Sequence, residues 1–186
     1  MKYQERPTEL QESAATETKM AFAEHLNQFN SFCDALHNLE RNLETTGNDA
    51  FKAALLSSGR VVKTDEGAEW QHDVDLMKDI SICHRRNAGE MEFAVVESVP
   101  LPSGETKEVL NSGHNVREVL QTFAHDQRQV LRLWKDDVTA QMREHLEQKY
   151  PGHDMSIVVE SFEYKMSRAL AQRPAQAQNQ SRGVRI

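Results

Sequence analysis

Cysteine is almost missing from this chain. Cys33 and Cys83 stand fifty residues apart and no C-x-x-C occurs, so neither a disulfide framework nor a zinc module can be written from them. They read as buried or neutral thiols of a reducing compartment. Long apolar runs are missing too. The longest hold four residues, such as FAVV 93–96, against the roughly 20 that a transmembrane helix requires. The start, MKYQERPTELQESAATETK, lacks the apolar stretch of a signal peptide, and a cytoplasmic protein is expected. Aromatics make up 6% of residues against 27% charged, a profile that leans towards an extended, helix-rich protein with a thin core. No G-x-x-x-x-G-K-[ST], G-x-G-x-x-G, H-E-x-x-H or G-x-S-x-G is present, so no cofactor is expected and no catalytic residue is assigned. The formal net charge of −7 excludes the chain as a whole as a polyanion binder, so any nucleic-acid contact needs a local basic patch.

What is present centres on Asn115 to Lys149, a stretch without proline or glycine. Asn115 is placed as an N-cap with Glu118 three residues on, and Pro151-Gly152 closes the segment. A helix of that length runs roughly 50 Å at 1.5 Å per residue. At the helical period Val116, Leu120, Phe123, Val130, Leu131, Trp134 and Val138 share one stripe with Gln127, Gln141 and His145. Leu120, Leu131 and Met142 recur every eleven residues, as do Phe123, Trp134 and His145, a spacing that suits a nearly straight helix.

The outer surface of this helix divides by charge. Arg117, Arg128, Arg132, Lys135 and Arg143 lie on one flank with His125 near them; Glu118, Asp126, Asp136, Asp137, Glu144 and Glu147 lie on the other. Mixed charge of this kind is the ordinary dress of a solvated helix. The functional alternative is a basic rail for phosphates or an acidic partner. No Tyr or Trp interleaves with the rail, which counts against single-stranded nucleic acid.

In chain order, residues 1–12 are polar and expected to be flexible. A helical pattern becomes clear from Met20: Phe22, His25, Phe29, Phe32, Leu36, Leu39 and Leu43 form a seam that packs within the chain or against a second copy. Gly47 is placed to end that helix and Asn48 to cap a short helix closing at Gly59, with RVVK 60–63 as a brief extended piece. A further helix is expected from Thr64 or Asp65, with Trp70, Val74, Met77 and Ile80 as its stripe and RRNAG 85–89 as its end. The period then changes. Met91, Phe93 and Val95 alternate with their neighbours, PLPSGE 100–105 signals a turn, and a β-hairpin is read at about 91–110, with a plain surface loop as the alternative. Residues 154–172 read as a last helix capped by Asp154, with Met155, Val158, Val159, Phe162, Met166, Ala169 and Leu170 inward. The tail 173–186 carries three arginines and no acid and is expected to be disordered.

Two spacings invite a metal reading, because di-metal carboxylate bundles use Glu-x-x-His pairs. Glu69-x-x-His72 and Asp34-x-x-His37 both fall off the expected core stripes: on helices, Glu69 and His72 face away from Trp70 and Met77, and His37 sits outside the seam. No metal site is assigned. Cys83 and His84 are consecutive and on a helix would not face each other. His114, beside the start of the long helix, is at most a weakly signalled anion site.

These observations predict a mainly α fold: an elongated helical bundle with two long antiparallel helices, shorter helices, a small β-hairpin and a disordered C-terminal tail, in which 13–172 form a single helical domain. The expected function is non-enzymatic: an interaction or adaptor protein, or an oligomer of itself, binding another protein through helix faces and the hairpin. The alternatives are a DNA-associated regulator and an enzyme whose site is assembled from distant residues. Arg117, Arg128, Arg132, Lys135, Arg143, Arg182 and Arg185 are the candidate contact residues, and no membrane association is expected.

Overall fold

The computed structural model describes residues 6–47, 49–50, 60–64, 67–73, 81–87 and 90–171. They include four helices, α1 (Glu9–Ala21), α2 (Ala23–Thr45), α3 (Val116–Lys149) and α4 (Ser156–Ala171). Five strands complete them: β1 (Arg60–Thr64), β2 (Gly67–Asp73), β3 (Ser81–Asn87), β4 (Glu90–Pro100) and β5 (Thr106–Gly113). The fold is mainly helical, with one antiparallel sheet in the order β1-β2-β3-β4-β5.

The helix ends follow local chemistry. Asn115 Oδ1 accepts from the N–H groups of Arg117 (3.1 Å) and Glu118 (3.2 Å) and opens α3. At the far end Gly152 adopts φ +81, a conformation that a side chain would strain. Asp154 Oδ1 accepts from both the N–H (3.0 Å) and the hydroxyl (2.6 Å) of Ser156 at the start of α4; these bonds favour its charged form and lower its pKa. α1 begins at Glu9, well before the first pattern legible at Met20. It is opened by a reciprocal box in which Gln11 N–H donates to Thr8 Oγ1 and Thr8 N–H to Gln11 Oε1. Thr46 ends α2 in an extended conformation, without a left-handed cap at Gly47.

The helix expected from Thr64 to Arg85 is not seen among the described residues. Thr64, residues 67–73 and residues 81–85 lie in β1, β2 and β3, with Trp70 paired to His84 and His84 to Phe93 across the sheet. A short apolar pattern serves a strand as well as a helix. Here the pairing of each strand with its neighbours decided, and those pairings are not local in sequence. Val74, Met77 and Ile80, the tail 173–186 and all but Asp49 and Ala50 of the short helix after Asn48 lie outside the described residues. The hairpin is present: β4 and β5 pair from Phe93↔Gly113 to Pro100↔Thr106, around a turn in which Leu101 N–H donates to Glu105 O (2.8 Å) and Gly104 takes φ +90.

The core lies between α2, α3, α4 and one face of the β4–β5 hairpin. Phe29 stacks on Trp134 with ring centres 5.4 Å apart, His25 meets the same indole edge-on at 5.8 Å, and Phe22 meets His145 edge-on at 5.6 Å. Further along, Glu40 meets Arg128 and Thr46 meets Arg117, so later residues of α2 pair with earlier residues of α3. The predicted stripe of α3 from Val116 to Val138 is buried, but so are Val119, Ala124, Thr139 and Leu146 outside it. A helix wrapped by other helices and a sheet needs more than one apolar side.

The hairpin lies on α3 through Phe93, Val95, Val99 and Val109, all buried. Asn111 Nδ2 donates to Asp126 Oδ2 (3.1 Å) and Gln141 Nε2 to Pro102 O (2.6 Å). A Cβ on Gly113 would sit 3.2 Å from Val119 Cγ2, so a larger residue there would require the Val119 side chain to give by a few tenths of an ångström. Cys33 is buried in α2, and loss of solvent pushes its thiol up to about 12, leaving it protonated and inert at neutral pH.

Two outcomes follow from this packing. Phe29→Ala should lower unfolding free energy by about 3–5 kcal/mol in a denaturant titration, as for other buried aromatics. The second concerns α1, which is tied to the end of α3 by Glu17. Its Oε2 accepts from Lys149 Nζ (2.5 Å) and Tyr150 Oη (2.6 Å), and these bonds, that from Lys149 first, hold the carboxyl below its ordinary 4.5. A depressed carboxyl contributes stability that is complete above its unfolded pKa and is lost as pH falls through the folded value. Amide shifts of α1 should therefore titrate below pH 4.5, and Glu17→Gln should abolish that titration; an unchanged midpoint in the variant would show that another group is responsible.

Candidate functional site

The basic residues of α3 were the candidates for contact with a partner, and the structure gives most of them internal partners. Arg128 is the most heavily engaged. Its Nε (3.0 Å) and Nη2 (2.8 Å) hold Glu40 of α2, and its Nη1 donates to the carbonyl of Leu170 at the end of α4 (2.7 Å). The side chains of Arg128 and Glu40 are only 23% and 19% exposed. His37, expected outside the core, is 2% exposed, and its Nε2 lies 2.9 Å from the same Leu170 carbonyl. α4 thus ends against an imidazole and a guanidinium, the donors that the orphan carbonyls of a helix C-terminus require.

The other basic residues are placed as follows. Arg117 Nη1 donates to Thr46 O (2.9 Å), the carbonyl at the end of α2. Lys135 Nζ donates to Ser167 Oγ of α4 (3.1 Å), and Arg143 lies 3.5 Å from Glu163 of α4. Arg132 is exposed and donates to Gln129 of its own helix (3.0 Å). Arg182 and Arg185 lie outside the described residues. The flank is therefore less a rail than a row of struts, and a phosphate taken up at Arg117 or Arg128 would compete with bonds that hold α2 and α4 in place.

Beside these struts, a groove of about 580 Å³ opens between α2 and the first half of α3. Arg117, His125 and Arg128 face Glu40 and Glu44 across it, over Leu43 and Ala124. A second hollow of about 190 Å³ sits at the α3–α4 turn beside Arg143, His153 and Asp154. Both carry mixed charge. Among the described residues no three His, Cys, Asp or Glu side chains converge to hold a metal ion. Glu69 and His72 lie in β2 and not on a helix, so their helical spacing does not exist; Asp34 is exposed while His37 is buried. No helix among the described residues is long and apolar enough to cross a membrane.

Compared with protein-family models, curated proteins and solved structures, the chain matches none of them.

Sequence reasoning missed His37 and Glu40. The only signal was a charged residue bordering the α2 seam, and that marks a solvated face equally well. The exposed large apolar residues were missed as well: Leu110 of β5 is 66% exposed although Val109 beside it is buried, and Leu133 and Tyr164 are exposed on α3 and α4.

The two kinds of arginine should separate on substitution. Arg128→Gln leaves Glu40 and the Leu170 carbonyl short of donors in a largely desolvated place and should cost about 2–3 kcal/mol of unfolding free energy. Arg132→Gln should change it by less than about 0.5 kcal/mol. Equal effects in a denaturant titration would mean that Arg128 is not a strut.

Proposed function

We propose that the protein is a non-enzymatic interaction or adaptor protein, cytoplasmic and without cofactor, that binds another protein through the outer face of the β4–β5 hairpin. In this reading the two long helices run antiparallel in an elongated bundle that serves as scaffold. The observation that carries it is the division of β5. Val109 is buried against α3, whereas Leu110, the register partner of Val96, is left two-thirds exposed on the opposite face. A sheet that covers one face with a helix presents its other face in a fixed shape. The apolar stripes of α2 and α3 support the scaffold role, because they are buried inside the fold.

The DNA-associated reading draws on Arg132 and on the tail arginines Arg182 and Arg185; internal bonding of Arg117, Arg128, Lys135 and Arg143 counts against it. Affinity purification of the full chain from its native host tests both. The expected result is a protein partner, or a second copy of the chain, recovered with the natural chain and lost with Leu110→Glu at unchanged thermal stability. Recovery that is identical in the variant would remove the hairpin face from the proposal. Recovery of DNA with a steep salt dependence, weakened by Arg132→Ala, would favour the second reading.

A further inference from the structure

We propose that β5 is a pairing edge for a second copy of this chain: two β5 strands run antiparallel about a two-fold axis at Leu110 and join two sheets into one. This rests on the reading of the hairpin as a contact surface and names what that surface meets. β5 is an edge strand, with β4 on one side and no described strand on the other. The turn fixes which of its backbone groups face the open side. Leu101 N–H donates to Glu105 O (2.8 Å), so these two residues form a hydrogen-bonded pair. Such pairs alternate along an antiparallel ladder. Lys107, Val109 and Asn111, the partners of Val99, Glu97 and Val95, therefore bond to β4. Thr106, Glu108, Leu110 and Ser112 turn their N–H and C=O groups to the open edge, and all four are exposed. Pro100 agrees with this phase: it has no N–H and lies opposite Thr106, where β4 and β5 exchange no bond.

An open edge of this kind is ordinarily blunted by proline, a bulge, a lysine or a covering element. β5 has eight residues and no proline, and its register with β4 runs unbroken from Phe93↔Gly113 to Pro100↔Thr106, so no bulge interrupts it. Its lysine, Lys107, alternates onto the side of Val109 and is held by Glu105 (2.5 Å). A row of unpaired backbone donors and acceptors is matched by another extended backbone. The side-chain frame makes a second copy the occupant. About Leu110, the two leucines face each other and each Glu108 faces Ser112 of the other copy. A frame centred on Glu108 would oppose two acids, and one centred on Val109 would set each Leu110 against Glu108. The Leu110 frame closes three hydrogen-bonded pairs, about six bonds, by the antiparallel pattern. It also covers Leu110, which is 66% exposed in the single chain. Each copy uses the same patch, so the contact closes as a dimer.

Sedimentation of the full chain tests this. One strand pair makes a small interface, so loading runs from about 1 µM to about 1 mM. The mass should rise from the monomer's 21.3 kDa towards twice that value. Glu108→Pro sets its ring on the open edge without removing a bond to β4 and should abolish the rise. Leu110→Lys keeps every backbone group but opposes two cations, and should raise the dimer dissociation constant about tenfold or more. The second variant decides the matter where the proline variant fails to fold. Leu110→Cys should give more covalent dimer on mild oxidation than the natural chain does, because Cα atoms of a hydrogen-bonded pair lie about 5.5 Å apart, within disulfide reach. A mass of 21.3 kDa at every loading, or a dimer that survives both substitutions, overturns the proposal. The reading of the hairpin as a contact surface fails separately, when Leu110→Glu leaves the capture of protein from the native host unchanged.

Discussion

α3 touches the other three described helices and both strands of the β4–β5 hairpin, and its need to be covered on several sides constrains the rest of the described structure. Thirteen of its 34 residues are buried, and they do not form a single stripe. One side takes α2 through Trp134 and Phe29. Others take α4 and the hairpin. A helix with this much apolar surface is unstable alone in water, and each large side chain it buries contributes about 1.5–3 kcal/mol. The neighbours are therefore not interchangeable additions; each closes a surface that would otherwise be exposed.

Polar side chains settle how the neighbours are seated. Arg128 joins α2, α3 and α4 through one guanidinium, and its planar fork suits a bidentate carboxylate and a carbonyl at once. Arg117 closes the end of α2, and Gln141 and Asn111 fix the hairpin on α3. Apolar packing is non-directional and leaves a helix free to slide or turn; these bonds are directional and select one arrangement. A row of cations on a helix thus has an explanation within the fold. That explanation moves the proposed contact from the basic flank to the open face of the hairpin.

Much of the scaffold was legible in advance. The cap at Asn115, the stop at Pro151-Gly152 and the inward residues of α4 from Met155 to Leu170 follow from rules that act within a few residues. So does the hairpin turn, where Gly104 supplies the positive φ. The middle of the chain misled, because Trp70, Val74, Met77 and Ile80 have helical spacing while Trp70 sits in a strand paired with β1 and β3. A strand gains its hydrogen bonds from partners elsewhere in the chain, and no local pattern states which partners those are. His37 was misplaced for a similar reason. The α2 seam defines the side facing α3, but the side facing α4 is visible only once α4 is in place.

By itself, then, the sequence determined where α3 and α4 begin and end, which stripe of α3 is apolar, and where the chain reverses between β4 and β5. Each depends on the conformational preference of a residue or on hydrogen bonds to near neighbours. Tertiary structure alone decided that residues 60–64, 67–73 and 81–87 join a sheet, that His37 and Arg128 meet at one carbonyl, and that Leu110 is left outside. Those outcomes depend on which distant surfaces come together, and burial and pairing between distant segments outweigh the small local preferences, each worth less than about 1 kcal/mol, that a sequence displays.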